Sequence, residues 1–263
     1  MSAAVPVHVV VDGPSDAPAV VLSGSLGSDS RMWSPQVEPL VAAGFRVMRY
    51  DHRGHGRSPV PAGPYTVGEL GTDVVDLLDR LGLARVHFVG LSLGGMVGMW
   101  LGRHQPERLM SLTLCCTSVA LGGTGNYELR AGQVRERGTA TVAEAVVDRW
   151  FTPAWRDAHP DQVRGYRSMV STTAAEGYAG CCQAIESFDL FPELPAIETP
   201  TLVLSGSDDT ATPPEHGFAV AAAMPHGQHV VVASAAHLAN VEQPTRVSEE
   251  IIEHVRAHAT PLQ

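Results

Sequence analysis

The chain has 263 residues, 44% of them hydrophobic and 17% charged, a balance that can bury a full core and argues against disorder. Its formal net charge is −10 and its arginines are spread from Arg31 to Arg256 without a basic stripe, so neither nucleic acid nor an anionic membrane is an expected partner. All 18 basic residues are arginine, which rules out a Schiff-base lysine, a pyridoxal-phosphate anchor and a phosphate-loop lysine.

The opening segment MSAAVPVHVVVDG has no basic region ahead of an apolar stretch. Neither a signal peptide nor a membrane anchor is expected from it, and cytoplasmic residence follows by default. Short runs rich in Val, Leu and Phe then recur at Val7–Val11, Ala19–Leu22, Arg46–Tyr50, Val86–Val89, Leu112–Cys115, Thr201–Leu204 and His229–Val232. Helix-length segments separate them, the spacing of βαβ units. Several runs are continuously apolar, as strands covered on both faces of a mainly parallel sheet should be. The fold class read from this pattern is α/β, a mostly parallel, doubly wound sheet.

Between Val119 and Phe191 the rhythm breaks. No strand is evident there, while Val142–Trp150 and Ala174–Ser187 read as helices. The flexible run Leu121–Asn126 opens this segment, and the proline-rich run Phe191–Pro200 closes it. The expected organisation is a core of residues 1–118 and 192–263, interrupted by a helical cap at 119–191. Cysteines occur only as the adjacent pairs Cys115-Cys116 and Cys181-Cys182, a spacing that fits buried small hydrophobes better than a zinc or redox site.

Chemistry concentrates at strand ends. The strand at Val86–Val89 runs into Gly90-Leu91-Ser92-Leu93-Gly94, after which Met96–His104 reads as a helix. This is G-x-S-x-G in a strand–turn–helix context, which lifts the serine hydroxyl above the sheet and makes Ser92 the expected nucleophile. A serine hydroxyl needs a base, and the base needs an orienting carboxylate, in the chain order Ser, acid, His. After Thr201–Leu204 comes Gly206-Ser207-Asp208-Asp209, with Pro213 shortly beyond. Asp209 is taken as the acid on its spacing from the glycine and the proline, with Asp208 left open as the alternative. His237, after the last strand, is the expected base. His52 and His55, in the loop Asp51–Ser58 that also leaves a strand end, are the rivals for that role, but the loop reads as a structural turn held by Asp51 and Arg53. For the oxyanion, backbone N–H donors are expected from Leu93, which follows the nucleophile, and from Leu26 in the bend Ser23–Gly27.

Taken together, Ser23–Gln36, Tyr50–Ser58, Gly90–Gly98, Gly177–Cys182, Ser205–Gly217 and Ala235–Pro244 resemble the corresponding stretches of 3-oxoadipate enol-lactonases, members of the α/β-hydrolase superfamily. The likeness spans nearly the whole chain, with SLG after the second strand, GYAGCC and HLANVEQP its narrower parts; where that superfamily usually has His-Gly at the oxyanion loop, this chain has Gly24-Ser25. The resemblance implies an enzyme that hydrolyses 3-oxoadipate enol-lactone to 3-oxoadipate in the β-ketoadipate route of aromatic catabolism. It implies a Ser92–His237–Asp209 triad and an acyl-enzyme, with neither metal nor organic cofactor. The substrate is a small lactone carrying a free carboxylate, which needs a cation or donor facing it. Arg31, Arg149 and Trp150 are the candidates, Trp150 as pocket lining. The same triad also serves carboxylesterases and cofactor-free perhydrolases, and a non-catalytic ligand receptor on this fold would have no need of it.

Overall fold

The computed structural model describes residues 3–259, so the outer ends of the expected core, residues 1, 2 and 260–263, lie outside the described residues. Among the described residues seven strands form one sheet: β1 (Val9–Asp12), β2 (Ala19–Ser23), β3 (Arg46–Tyr50), β4 (Val86–Leu91), β5 (Leu109–Cys115), β6 (Thr201–Gly206) and β7 (Gly227–Val232). Their order is β1-β3-β2-β4-β5-β6-β7. All neighbours are parallel except β1, which pairs antiparallel with β3. Every residue of β2, β4 and β6 is buried, which accounts for their predominantly apolar character.

Each run expected as a strand is one, but the ends move. β1 begins at Val9 rather than Val7, because its register with β3 spans only Val9↔Tyr50 to Asp12↔Val47. β5 starts three residues early, at Leu109, where it meets Val86 of β4. Strand length is thus set by the neighbouring ladder, which apolar content alone does not report.

The helices are α1 (Ser34–Ala42), α2 (Val67–Arg80), α3 (Leu93–His104), α4 (Asn126–Arg137), α5 (Ala140–Trp150), α6 (Pro153–Ala158), α7 (Pro160–Ser171), α8 (Ala175–Glu186), α9 (Pro214–Ala223), α10 (Ala239–Glu242) and α11 (Pro244–Ala257). None among the described residues is long and apolar enough to cross a membrane. Helix α2 starts at a reciprocal cap, in which Thr66 accepts from the Glu69 amide and the Glu69 carboxylate accepts from the Thr66 amide. Helices α2 and α3 pack together, as do α1 and α11. Phe88 of β4 is fully buried beneath α3, where truncation to alanine would cost about 3–5 kcal/mol.

Helices α4 to α8 all lie between β5 and β6, with α4 against α8 and α5 against α7. An isolated antiparallel bridge, Ala120↔Asp189, joins the two ends of this insertion. Phe191–Ala196 is a 3-10 turn, a tight connector that its prolines permit where an α-helix would not continue. All four cysteines are buried and free.

The loop after β3 is held as its sequence suggested. Asp51 accepts from the Ser30 amide at 2.7 Å and the Arg57 amide at 2.9 Å. Arg53 makes a two-pronged ion pair with Asp73 of α2, at 2.6 and 2.7 Å, with both side chains buried.

Candidate active site

Ser92 sits between β4 and α3 with φ 57° and ψ −111°, a backbone conformation that costs an L-residue about 1–3 kcal/mol. Close approach explains the flanking glycines. A Cβ at Gly90 would lie 2.1 Å from the Gly94 carbonyl oxygen, and one at Gly94 would lie 2.3 Å from that of Ser23. The strained residue is pinned on three sides: its amide donates to the Cys115 carbonyl at 2.9 Å, while its carbonyl accepts from the Met96 amide at 3.1 Å and the Thr117 hydroxyl at 2.7 Å.

The acid and base arrive from the ends of β6 and β7. Asp209 is buried and its Oδ2 accepts from His237 Nδ1 at 2.8 Å. Asp208 is exposed and accepts from the Ser207 hydroxyl. The structure therefore brings Asp209, not Asp208, to the histidine. Burial pushes the Asp209 carboxyl up, but the adjacent His237 imidazole and the donors of Thr212 outweigh it and hold the carboxyl below its usual value. With Nδ1–H committed to the carboxylate, His237 Nε2 is the nitrogen left to accept a proton, and it makes no hydrogen bond to another described residue.

Sequence reasoning missed two supports of this pair. The Thr212 hydroxyl donates to Asp209 Oδ2 at 2.6 Å and lies 3.3 Å from His237 Nδ1, and the Ala211 and Thr212 amides donate to Asp209 Oδ1 at 2.8 and 3.0 Å. The signal was present in Asp-Thr-Ala-Thr, where an aspartate can accept from amides two and three residues on. Glu242 is the second support: it accepts from the Thr152 amide at 2.9 Å, the Thr152 hydroxyl at 2.7 Å and the Ala236 amide. It thereby ties the residue before His237 to the inserted helices. Nearby, Asn240 donates to the Met32 carbonyl at 2.9 Å and to Gln36 at 3.1 Å, so HLANVEQP holds the histidine loop against the segment that follows β2.

Leu26, Ser92, Trp150 and His237 line one cavity of about 250 Å³. Leu93, next to Ser92, is fully buried at the start of α3. Neither the Leu26 nor the Leu93 amide donates to another group among the described residues. Two unengaged N–H groups beside a serine and a histidine can meet negative charge on a carbonyl oxygen, and the α3 dipole adds to the effect. Trp150 is buried, its ring edge-on to Tyr166 at 6.1 Å, and its carbonyl accepts from the Leu238 amide at 2.9 Å.

Of the candidate cations, Arg149 lines this cavity. Arg31 does not: it is exposed, doubly bonded to Asp29, and faces a separate cleft. Arg130, which sequence reasoning did not single out, joins Arg149 in the lining, half-buried with its guanidinium 5.1 Å over the Tyr127 ring. No carboxylate among the described residues forms an ion pair with either. Helical spacing from Tyr127 offered a clue, since residues three apart share a face.

A family model described as the α/β-hydrolase fold matches residues 18–244. Two curated relatives are the 3-oxoadipate enol-lactonases 2 and 1 of Acinetobacter baylyi. The first is 38% identical over 232 residues, 88% of this chain and 86% of the relative. The second is 36% identical over 238 residues, covering 90% and 88%. The crystal structure of the enol-lactonase from Burkholderia xenovorans superimposes with a TM-score of 0.92 at 39% identity, covering 95% of this chain and 96% of that one. The fold class and the family resemblance read from the motifs are both borne out.

Proposed function

The chain belongs to the α/β-hydrolase family and is a hydrolase of the ester- and lactone-cleaving kind, and on that premise we propose that it converts 3-oxoadipate enol-lactone to 3-oxoadipate in the β-ketoadipate route. Residues 119–191 act as a cap over a core of 1–118 and 192–263. The observation that carries the substrate is the cavity itself, which holds Ser92 and His237 together with two arginines that no protein carboxylate engages. A small lactone with a carboxylate arm matches both features.

His237 Nε2 takes the proton as Ser92 Oγ bonds to the lactone carbonyl carbon. The oxygen that gains charge is met by the Leu26 and Leu93 amides. Collapse breaks the ring C–O bond, and His237 returns the proton to the departing enolate oxygen, so an acyl-enzyme carrying the enol remains. Water then gives a proton to His237 and its oxygen to the acyl carbon, the bond from that carbon to Ser92 Oγ breaks, and His237 returns the proton to Oγ. The released enol becomes the ketone. Asp209 keeps the imidazole in the required tautomer and stabilises its charged form. Arg130, with Arg149 beside it, takes the free carboxylate, while Trp150 supplies apolar lining.

The test compares kcat/KM for the enol-lactone with that for p-nitrophenyl acetate. Preference for the lactone by a factor of about 10² or more, a gap that orienting contacts to one substrate can supply, supports the proposal. Good cleavage of the simple ester with the lactone ignored would make the enzyme a carboxylesterase instead.

A further inference from the structure

Bonded to the glycines that flank Ser25 and Leu26 of the cavity wall is a pair of buried histidines that the chemistry above does not use. His52 Nε2 lies 3.0 Å from the Gly24 carbonyl oxygen and 3.3 Å from the Ser23 hydroxyl. His55 Nε2 accepts from the Gly27 amide at 3.0 Å, and its Nδ1 lies 3.2 Å from the Arg53 carbonyl oxygen. A carbonyl can only accept, so His52 carries its proton on Nε2. An amide can only donate, so His55 carries its own on Nδ1. The two rings are neutral, in opposite tautomers, and stand edge to face with centroids 6.2 Å apart. Burial, then the neighbouring His55, pushes His52 down to about 3. Burial also lowers His55, against the pull of the Arg53 carbonyl, Asp51 and Asp29.

The placement of these bonds along the backbone gives them meaning. The Gly24 carbonyl belongs to the Gly24–Ser25 peptide plane, and the Gly27 N–H to the Leu26–Gly27 plane. Between them is the Ser25–Leu26 plane, which carries the Leu26 N–H. Its carbonyl is drawn away by Ser28, whose amide and hydroxyl donate to it at 3.1 and 2.7 Å. In a trans peptide the N–H then points the opposite way. We propose that His52 and His55 are positioning residues that clamp the peptide planes on either side of the Leu26 amide and so aim it at the oxyanion. The inference rests on the serine-hydrolase reading given above.

His55→Leu and His55→Gln separate positioning from bulk, because the glutamine oxygen can still accept from Gly27 while leucine cannot. Both are assayed on the enol-lactone and on p-nitrophenyl acetate, with Ser92→Ala alongside and with inhibition by a trifluoromethyl ketone, which forms an oxyanion adduct on a serine. Loss of one well-aimed oxyanion donor lowers kcat by about 10²–10³, and a misaimed donor loses part of that. His55→Leu is expected to lower kcat by about tenfold or more on both substrates with KM within about twofold, and to weaken the ketone in proportion, with His55→Gln recovering most of the loss. Should His55→Leu not fold, His52→Leu, which leaves only the Gly94 amide at 3.0 Å on the Gly24 carbonyl, is read the same way. Unchanged kcat in a folded leucine variant, or equal loss with glutamine, overturns the positioning role while Ser92→Ala remains inactive. Full activity in Ser92→Ala overturns the serine-hydrolase reading itself.

Discussion

Replacing Asp209 by asparagine changes one atom type at a site where every neighbour is a donor. The carboxylate accepts from the Ala211 and Thr212 amides on one oxygen, and from the Thr212 hydroxyl and His237 Nδ1 on the other. In Asp209→Asn the amide oxygen takes the two backbone donors and the NH2 group faces Thr212 and His237. The threonine hydroxyl can rotate and accept. His237 can accept only if Nδ1 loses its proton, which moves that proton to Nε2 and abolishes the base. The fold should lose only about 1–3 kcal/mol. Catalysis loses the attraction between carboxylate and imidazolium, about 4 kcal/mol for charges roughly 4 Å apart at an effective dielectric of about 20, or a factor of about 10³ in rate. The wrong tautomer brings the expected loss in kcat to about 10⁴. Steady-state rates on the enol-lactone, with thermal denaturation alongside, check this. Asp208→Asn, at an exposed position, should behave as wild type. A folded Asp209→Asn within about tenfold of wild-type kcat would refute the assignment of acid and tautomer.

Arg130→Met keeps the aliphatic length and removes the charge. KM for the anionic lactone should rise about 10- to 100-fold, as loss of a charge-assisted bond of about 1.5–3 kcal/mol implies, with kcat and neutral-ester hydrolysis little changed; an equal effect on both substrates would contradict the carboxylate contact. Asp73→Asn removes the buried anion opposite Arg53 while its amide oxygen can still accept from the Val5 amide, 2.8 Å from Asp73 Oδ1, and should cost about 3–5 kcal/mol in urea unfolding. His87 and His254 are lowered to about 4, mainly by burial and, for His87, then by His254, and for His254 by His258. The unfolded chain takes up these protons first, at about 6.5, so stability should fall as pH drops from that value towards 4, by on the order of 3 kcal/mol per histidine. Urea midpoints at pH 7 and pH 4.5 measure it, and His87→Asn should flatten the slope.

Most of the architecture could be read from the chain because its signals are local. A continuously apolar run followed by Gly90-Leu91-Ser92-Leu93-Gly94 carries its strand, its turn and its strain within a dozen residues. What escaped was set by partners distant in sequence. Spacing from Gly206 and Pro213 favoured Asp209 but left Asp208 open, and what separates them is the bond from His237, 28 residues on from Asp209. Arg130 and Glu242 gain their meaning from insertion-to-core contacts such as Thr152 with Glu242. Arg31 looked suitable because it is near the oxyanion bend in sequence, but Asp29 two residues away satisfies it locally. His52 and His55 were rightly read as part of a structural turn, yet their bonds to Gly24 and Gly27 depend on β2 and β3 lying side by side.

The proposed chemistry requires Ser92 Oγ to be the atom that bonds to the lactone. Enol-lactone prepared enzymatically is followed by loss of its ultraviolet absorbance, with wild type and Ser92→Ala at equal concentration. Rapid loss with wild type and a rate at least about 10⁴-fold lower with the alanine variant is the predicted result. A Ser92→Ala enzyme that still turns over the lactone within about tenfold of wild type would contradict it.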